Sequence, residues 1–475
     1  MSEAFTKNQS PPEYNRPAPA KPSANASDRL GQAPVGALLM RMGLPLIASM
    51  LIQALYNVVD SIFVSRIGPD AFNAVSLAFP VQNILIAISV GTGVGISTRM
   101  SHQLGQGDRK GAEQTARHGL FCAAAMWLLF ALLVNTGDRW FMSLFTQKPD
   151  TIQMGIGYLS VTSTFAFGVT FQIMMERFLL ATGRTVCTMW TQLAGAVINI
   201  VLDPLFIFGI GPFPELGVTG AAVATVIGQI TAAVLGLILN LRFNREISLS
   251  LRGFRFRPRV VGDIYRIGSA SMMIMSIASL TISGLNGILA PFSVLAVNVL
   301  GIFIKVQSFV FMPVFGLNNA MIPIISYNFG AGKRSRMLKT IRLSILLSVG
   351  VMLAGTLLVF GLARPILTLF DADEAMAAIG IPALRIISLS FPIAGFCIVL
   401  SNVFQALHKA AYSMLTTVLR QLVVLLPSAW LLAHALGYQT TWYAFPIAEL
   451  ASLICSLWLY RSLRRKRIQL VADNA

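Results

Sequence analysis

The fold is indicated most clearly by PLIASMLIQALYNVVDSIFVSRIG, residues 45–68. It is long enough to cross a bilayer as a helix, which takes about 20 mostly apolar residues. It nevertheless contains an aspartate, Asp60. A charge at membrane depth costs several kcal/mol and is rare unless it faces a cavity or a partner. We therefore expect a transmembrane helix whose carboxylate has a function.

The whole chain has the composition of a membrane protein. Of its 475 residues, 55% are apolar and only 12% are charged, and the mean hydropathy is +0.71. Twelve charge-poor runs are long enough to span a bilayer. They begin near Gly43, Ala71, Gly119, Ile152, Val186, Gly217, Ile267, Phe292, Leu343, Ala377, Ala410 and Thr441. The sequence thus predicts an all-α polytopic membrane protein with 12 transmembrane helices.

Basic residues are distributed unevenly between these runs. The even-numbered connections and the C-terminal tail hold 24 Lys and Arg, whereas the odd-numbered connections hold 4. Because basic connections stay on the cytoplasmic side, both termini are predicted to be cytoplasmic, in the inner membrane of a bacterium. The net charge of +17 then records this bias, and no nucleic-acid partner is expected.

The polar residue types give no sign of a cofactor. The four cysteines stand singly in or beside apolar runs, without metal-ligand spacing, and are interpreted as packing residues. There is no nucleophile with a nearby base and no nucleotide-binding motif. We expect no enzyme, no metal site and no cofactor, so transport would have to use an ion gradient.

The second half of the chain repeats the first. A shift of 225 residues superimposes Gln82, Gly91, Ser101, Gly105 and Gly107 on Gln307, Gly316, Ser326, Gly330 and Gly332. With six helices per half, both copies start on the same side, so the chain is predicted to form two parallel-repeat six-helix bundles. The predicted segments are a disordered cytoplasmic tail (1–36), an N-lobe (37–243), a basic linker (244–262), a C-lobe (263–462) and a basic tail (463–475).

Several motifs in the right order resemble one transporter family. They are LPxxxxxxxQxLYNxxDxxFVSRIG (residues 44–68), LGQGDRKGAE (104–113), NIVLDPLFIFG (199–209) and GVTGAAVATVI (217–227). Together they resemble the multidrug and toxic compound extrusion (MATE) family, and MERFLLATGRT (175–185) is similar to its DinF/MepA-like branch. The resemblance covers residues 38–467 and implies a secondary antiporter.

Polar residues line one side of the first span. Pro45, Ser49, Gln53, Asn57 and Asp60 follow one another at spacings of four, four, four and three, which places them on one helix face. This stripe should face the interior of the first bundle because it is poorly suited to lipid. Pro45 removes a helix hydrogen bond and makes a bend possible.

Counting the helix rise places Asp203 and Thr225 at about the depth of Asp60. Asn199 and Asp203 are four residues apart and share a face. The family resemblance implies that Asp60, Asn199, Asp203 and Thr225 form a cation or proton site, coupled to bending at Pro45. Simpler roles stay open: Asp60 would bridge helices, Asp203 would end a helix before Pro204, and the amide and hydroxyl would hold helices together.

Other polar residues in the spans have two interpretations each. Glu176, beside Arg177, either snorkels to the interface or adds a carboxylate to the cavity. Arg420 and Glu449 lie at similar depth and are predicted to form a structural ion pair. The residues considered for a substrate cavity are Tyr56, Glu176, Met272, Met275, Lys305, Gln307 and Phe309.

The expected function is export of amphipathic, usually cationic drugs in exchange for H⁺ or Na⁺, by a protein that works as a monomer in the bilayer. One alternative is a lipid-linked oligosaccharide flippase, which would need a strongly cationic cavity and is kept open by Lys305, Arg385 and Arg420. Another alternative is a receptor or scaffold without transport. The acids of the first and fifth spans argue against a scaffold, since it has no evident need of them.

Overall fold

The computed structural model describes residues 27–250, 252, 254–469 and 471. All regular secondary structure in this part of the chain is helical, as the hydropathy pattern predicts. The α-helices are α1 Asp28–Gln32, α2 Val35–Ser65, α3 Pro69–Gly105, α4 Arg109–Ser143, α5 Pro149–Thr164, α6 Phe167–Ala181, α7 Thr185–Phe208, α8 Val218–Phe243, α9 Pro258–Leu289, α10 Val294–Gly330, α11 Arg334–Gly361, α12 Ala363–Thr368, α13 Glu374–Ser388, α14 Phe391–Ala406, α15 Ala410–Val418, α16 Leu426–Leu436 and α17 Ala444–Leu463. Leu419–Leu425 and Arg464–Ile468 are π-helical, and Tyr438–Tyr443 is a 3₁₀-helix.

Two of the twelve predicted spans are bent. In the described chain, ten helical segments are long and apolar enough to cross a membrane alone. The other two spans are helix pairs: α5 meets α6 at 44°, and α13 meets α14 at 47°. Pro392 lies in the first turn of α14 and lacks an N–H, which explains the second break. Hydropathy alone does not report such bends.

The internal repeat is visible in the coordinates. Helices α3 and α10 have 37 residues each and begin 225 positions apart. The Ser101 hydroxyl donates to the Ala181 carbonyl oxygen at 2.9 Å, and the Ser326 hydroxyl donates to the Ala406 carbonyl oxygen at 3.0 Å. Ser326 and Ala406 lie 225 positions after Ser101 and Ala181, so the same hydrogen bond recurs in the second half of the chain. The structure therefore confirms two six-helix lobes, the N-lobe with α2 to α8 and the C-lobe with α9 to α17.

The ends of the lobes differ slightly from the predicted segments. Helix α9 begins at Pro258, inside the predicted linker, because proline suits the first turn of a helix. The π-helical turn after α17 extends regular structure into the predicted C-terminal tail. Residues 251 and 253 of the linker, and 470 and 472–475 of the tail, lie outside the described residues.

The lobes meet in the half of the molecule that carries the basic connections, here called the basic face. Helix α3 packs against α9, and α2 packs against α10. Arg99 forms an ion pair with Asp263 across this contact. A Cβ on Gly105 would overlap the carbonyl of Tyr327, and one on Gly330 would overlap the carbonyl of His102. Glycine is thus required where the two backbones approach each other.

The predicted disordered tail is wrong for its last ten residues. Residues 27–34, here called the N-terminal strap, include helix α1 and lead directly into α2. Three side chains of the C-lobe hold the strap by its carbonyl oxygens. Asn328 Nδ2 donates to Leu30 at 2.9 Å, Lys333 Nζ donates to Gly31 at 3.0 Å, and Arg336 Nη2 donates to Ala33 at 2.6 Å. Residues 1–26 lie outside the described residues.

The strap also contacts the N-lobe side. The Ser27 N–H donates to Glu246 Oε1 at 2.9 Å, and the Leu30 side chain approaches Gly183 in the loop after α6. Leu30 is 1% exposed and belongs to the core that joins the lobes at the basic face. The composition of the tail hides this role, since the contact depends largely on one leucine and on backbone N–H and carbonyl groups.

A methyl group at Gly95 is expected to loosen the closed basic face. Its Cβ would overlap the carbonyl oxygen and carbon of Ile264 on α9, and backbone atoms cannot rotate away as a side chain does. Overpacking of this kind costs about 1–3 kcal/mol. We expect Gly95→Ala to lower the thermal unfolding midpoint of the purified protein in detergent. The matched control is Gly137→Ala on α4, where nothing lies within 4 Å of the added carbon; equal midpoints for both variants would contradict this packing argument.

Candidate functional site

Four predicted coupling residues come together in the N-lobe. Asp60 lies on α2, Asn199 and Asp203 on α7, and Thr225 on α8, and α7 packs against both neighbours. Asn199 Nδ2 donates to Asp203 Oδ1 at 3.2 Å and to Thr225 Oγ1 at 3.3 Å. Phe63, three residues after Asp60 on α2, packs against Phe208, five residues after Asp203 on α7, with ring centres 6.4 Å apart. The two acids therefore lie at a similar level of neighbouring helices. We call these four residues the N-lobe ion cluster.

The cluster contains acceptors that have no donor. Within the described residues, the buried oxygens Asp60 Oδ1, Asn199 Oδ1 and Asp203 Oδ2 accept no hydrogen bond. Asp203 is 0% exposed, so bulk water does not screen its charge. A buried oxygen left without a partner is costly, and a proton or a small cation would remove that cost. Carboxylate and amide oxygens are suitable ligands for either ion in a membrane site.

Asp203 does not end its helix. Pro204, which follows it, lies inside α7, and the helix continues to Phe208. It stops at Gly209, whose φ of 65° is left-handed and favours glycine. The helix-ending role considered for Asp203 therefore does not match its position.

The polar stripe on the first span is only partly directed into the lobe. Ser49, Gln53 and Tyr56 line a cavity of the N-lobe, and the Ser49 hydroxyl donates to the carbonyl of Pro45 at 2.9 Å. Pro45 lies within α2, which is continuous through it. Asn57 is exposed and does not line this cavity. Tyr56 is the last residue of α2 in the cavity wall, so Asn57 and Asp60 lie beyond the cavity although they share a helix face with Gln53.

The N-lobe cavity contains a third carboxylate. Its volume is about 320 Å³, and Glu176, Asn199 and Thr225 are part of its wall. Glu176 is 8% exposed, which rules out snorkelling to the interface. Its Oε1 accepts from Gln172 Nε2 at 3.1 Å, and its Oε2 accepts from Gln192 Nε2 at 3.0 Å. Arg177 also lines the cavity.

A second cavity of about 400 Å³ lies in the C-lobe. Met275 and Gln307 line it, as considered from the sequence, and so do Arg420 and Glu449. The predicted ion pair is formed: Arg420 Nη1 lies 3.0 Å from Glu449 Oε1. Because the pair forms part of the cavity wall, its role need not be limited to holding the bundle together.

Three residues considered for the cavity lie elsewhere. Lys305 is exposed, with Nζ 5.4 Å from the centre of the Phe370 ring. Phe309 is 60% exposed, and Met272 packs against Gly91 between the lobes. Lys305 and Phe309 are four residues apart and share a helix face. Gln307 lies between them in sequence and points the other way, into the cavity.

Sequence reasoning missed several cavity residues. Gln172 and Gln192 hold Glu176, and Gln421 accepts a hydrogen bond from Thr281 at 3.2 Å. The spacing of Gln172 and Glu176, i and i+4, was an available signal. Gln192 and Gln421 are reached only through the tertiary fold, since their partners lie on other helices.

Comparison with known proteins gives the same family for both lobes. The family model named MatE matches residues 45–205 and 269–431. The chain is 26% identical to a FAD transporter of Shewanella oneidensis, with 91% of this chain and 96% of the relative covered. It is 25% identical to the multidrug export protein MepA of Staphylococcus aureus, with 90% of this chain and 94% of the relative covered.

Solved structures agree with this fold. One, described as the outward-facing conformation of a multidrug resistance MATE family transporter, matches with a TM-score of 0.86 and 25% identity, covering 95% of this chain and 99% of that one. A transporter of the MOP superfamily from Pyrococcus furiosus matches with a TM-score of 0.86 and 24% identity, covering 94% of this chain and 100% of that one.

Proposed function

Since this chain belongs to the MatE family of membrane transporters, we propose that it is a secondary active exporter that exchanges amphipathic organic cations for H⁺ or Na⁺. The observation that carries the proposal is the N-lobe ion cluster, in which three buried oxygens accept no hydrogen bond from any described residue. Asn199 and Thr225 belong both to this cluster and to the cavity wall. An ion bound there can therefore alter the binding of a molecule in the cavity.

The chemistry of the cavities supports cationic, amphipathic substrates. Volumes of about 320 and 400 Å³ lie in the range that holds drug-sized ligands. Tyr56 and Met275 contribute aromatic and thioether surface, which attracts cations and adapts to varied shapes. Glu176 adds a buried carboxylate. The relative named as a multidrug export protein is consistent with this substrate class.

Export would proceed by alternating access between the lobes. The contacts between them lie towards the basic face, which supports an outward-facing state if that face is cytoplasmic. The excess of basic residues there supports this orientation, in a bacterial inner membrane with both termini inside. Ion and substrate must bind competitively or to different states, because proximity alone does not couple them. Each chain has both lobes and both cavities, so we propose that the monomer is the working unit.

Export of a flavin dinucleotide is the second candidate, favoured by the relative named a FAD transporter. A lipid-linked oligosaccharide flippase has less support, since it would need a strongly cationic cavity. Arg420 is neutralised by Glu449, Lys305 lies outside the cavities, and Arg385 stacks on Phe360 with its carbon Cζ 5.2 Å from the ring centre.

Proteoliposomes containing the purified protein separate these functions. We expect an imposed H⁺ or Na⁺ gradient to drive movement of a fluorescent lipophilic cation such as ethidium, and the cation to evoke a counterflow of the ion. FAD and a lipid-linked sugar are tested in the same vesicles. Gradient-independent movement of the lipid-linked sugar, without any ethidium flux, would overturn the antiporter proposal.

A further inference from the structure

The C-lobe cavity contains an arginine with unused hydrogen-bond donors. A guanidinium has five N–H groups, and Arg420 uses Nη1 for Glu449. Its remaining N–H groups have no acceptor within the described part of the chain. The side chain is 19% exposed and forms part of the cavity wall. An arginine of this kind is suited to bind a further anionic group from the cavity.

The local backbone presents a second donor beside it. Arg420 and Gln421 lie in the π-helical turn Leu419–Leu425, and both line the cavity. The Gln421 Oε1 accepts from Thr281, which leaves its NH₂ group as a donor. Turns of this kind occur often at functional sites. Here the turn brings two consecutive polar residues to one cavity.

We propose that Arg420 and Gln421 form the subsite that binds the carboxylate of a zwitterionic substrate, so that these two residues set how well zwitterions are exported relative to simple cations. The inference rests on the proposed export function and assigns part of its selectivity to these residues. The planar guanidinium fork can bind a carboxylate through two parallel N–H groups. This geometry is what distinguishes Arg420 from a lysine at the same place.

The subsite can be filled without a change of net charge. A zwitterion has one charge of each sign, so its entry leaves the summed charge of the cavities unchanged. Arg420 keeps Glu449 as a partner through Nη1, and a guanidinium has further N–H groups for the substrate carboxylate. No proton has to accompany the substrate, so this step is compatible with exchange against an ion.

The cavities are arranged for a molecule that has both charges. Val90, Met275 and Asn319 line both of them, so they adjoin at the contact between the lobes. A substrate with its carboxylate at Arg420 can extend its cationic end towards the N-lobe, where Glu176 lies. The two ends of a zwitterion would then meet opposite charges.

The test uses one dye skeleton in two forms, a cationic rhodamine methyl ester and the same rhodamine with the free carboxylate. The variant is the double substitution Arg420→Gln with Glu449→Gln, which avoids leaving one charge buried alone. We expect the variant to slow export of the free acid at least about tenfold more than export of the ester, because a hydrogen bond to a charged group typically contributes about 1.5–3 kcal/mol. Binding to the detergent-solubilised protein, read by dye anisotropy, should weaken for the acid alone.

The control is the double substitution Arg364→Gln with Glu374→Gln, which removes an exposed ion pair of 2.7 Å away from the cavities. It should leave both dyes unaffected. An equal loss of both dyes in the cavity variant would show that the pair only holds the bundle together, and unchanged export and binding of the acid would also overturn the subsite. If the parent exports neither dye, the proposed function fails, while anisotropy still reports whether Arg420 binds the carboxylate.

Discussion

Asp203→Asn is expected to slow ion-driven export by about 5- to 150-fold while leaving the protein folded. The amide has the same size as the carboxyl, and Asn199 Nδ2, now 3.2 Å from Asp203 Oδ1, keeps an acceptor. It cannot take up a proton or supply the negative charge that a cation needs, and Asp203 is fully buried. Loss of the coupling free energy, typically about 1–3 kcal/mol, corresponds to a 5- to 150-fold effect.

The measurement is the initial rate of ethidium movement in proteoliposomes under an imposed H⁺ gradient and, separately, under a Na⁺ gradient. We expect the same loss for Asp60→Asn, since the proposed ion site contains both carboxylates. The control is Asp70→Asn, which removes an exposed partner of Lys148 at 2.8 Å and should export as the parent does. Full gradient-driven export by the Asp203 variant would refute the assignment of the N-lobe ion cluster.

Deleting the N-terminal strap is expected to open the basic face. The deletion exposes the pocket of Leu30, which is 1% exposed, and frees Asn328, Lys333 and Arg336 from its carbonyl groups. Burial of a leucine and hydrogen bonds of this kind contribute roughly 3 kcal/mol together. That is about a hundredfold shift of an equilibrium towards a state in which the lobes are separated at this face.

Two truncations make a matched comparison. Removal of residues 2–26 keeps the strap, whereas removal of residues 2–33 takes most of it away. Spin labels at Lys110 and Lys339, both exposed and one in each lobe, report the distance across the basic face after the four cysteines have been replaced. We expect a longer distance for the larger deletion alone; the same distance in both would mean that the strap does not hold the lobes.

The coupling residues were accessible from the sequence because their signals are local. Asp60 is conspicuous as an acid within an apolar run, and Asn199 and Asp203 have helical spacing. Their approach to Thr225 required a count of helix rise and a family resemblance. The donors to Glu176 could not be found in this way, since Thr191 and Gln192 belong to another helix.

Two sequence predictions did not match the structure, one because of helix periodicity and the other because composition does not report backbone contacts. Lys305 was considered for the cavity because a charge in a span suggests function, yet it lies on the face opposite Gln307 and contacts Phe370. Composition made the residues before α2 look disordered, yet the strap is held through its carbonyl oxygens. Backbone acceptors are the same in every residue, so composition does not reveal them.

The membrane class, the twelve spans, the two-lobe repeat and the acid in the first span could be predicted from the sequence, because hydropathy, basic connections and helical spacing act within one segment. The three-dimensional structure was needed to find which oxygens lack a donor among the described residues, which face of α10 meets the cavity, and that Arg420 lines it with N–H groups that no described residue accepts. These properties depend on the packing of helices far apart in the chain. Asp60 thus began as an isolated charge in an apolar run, and the packing of α2 on α7 makes it part of a cluster with Asp203.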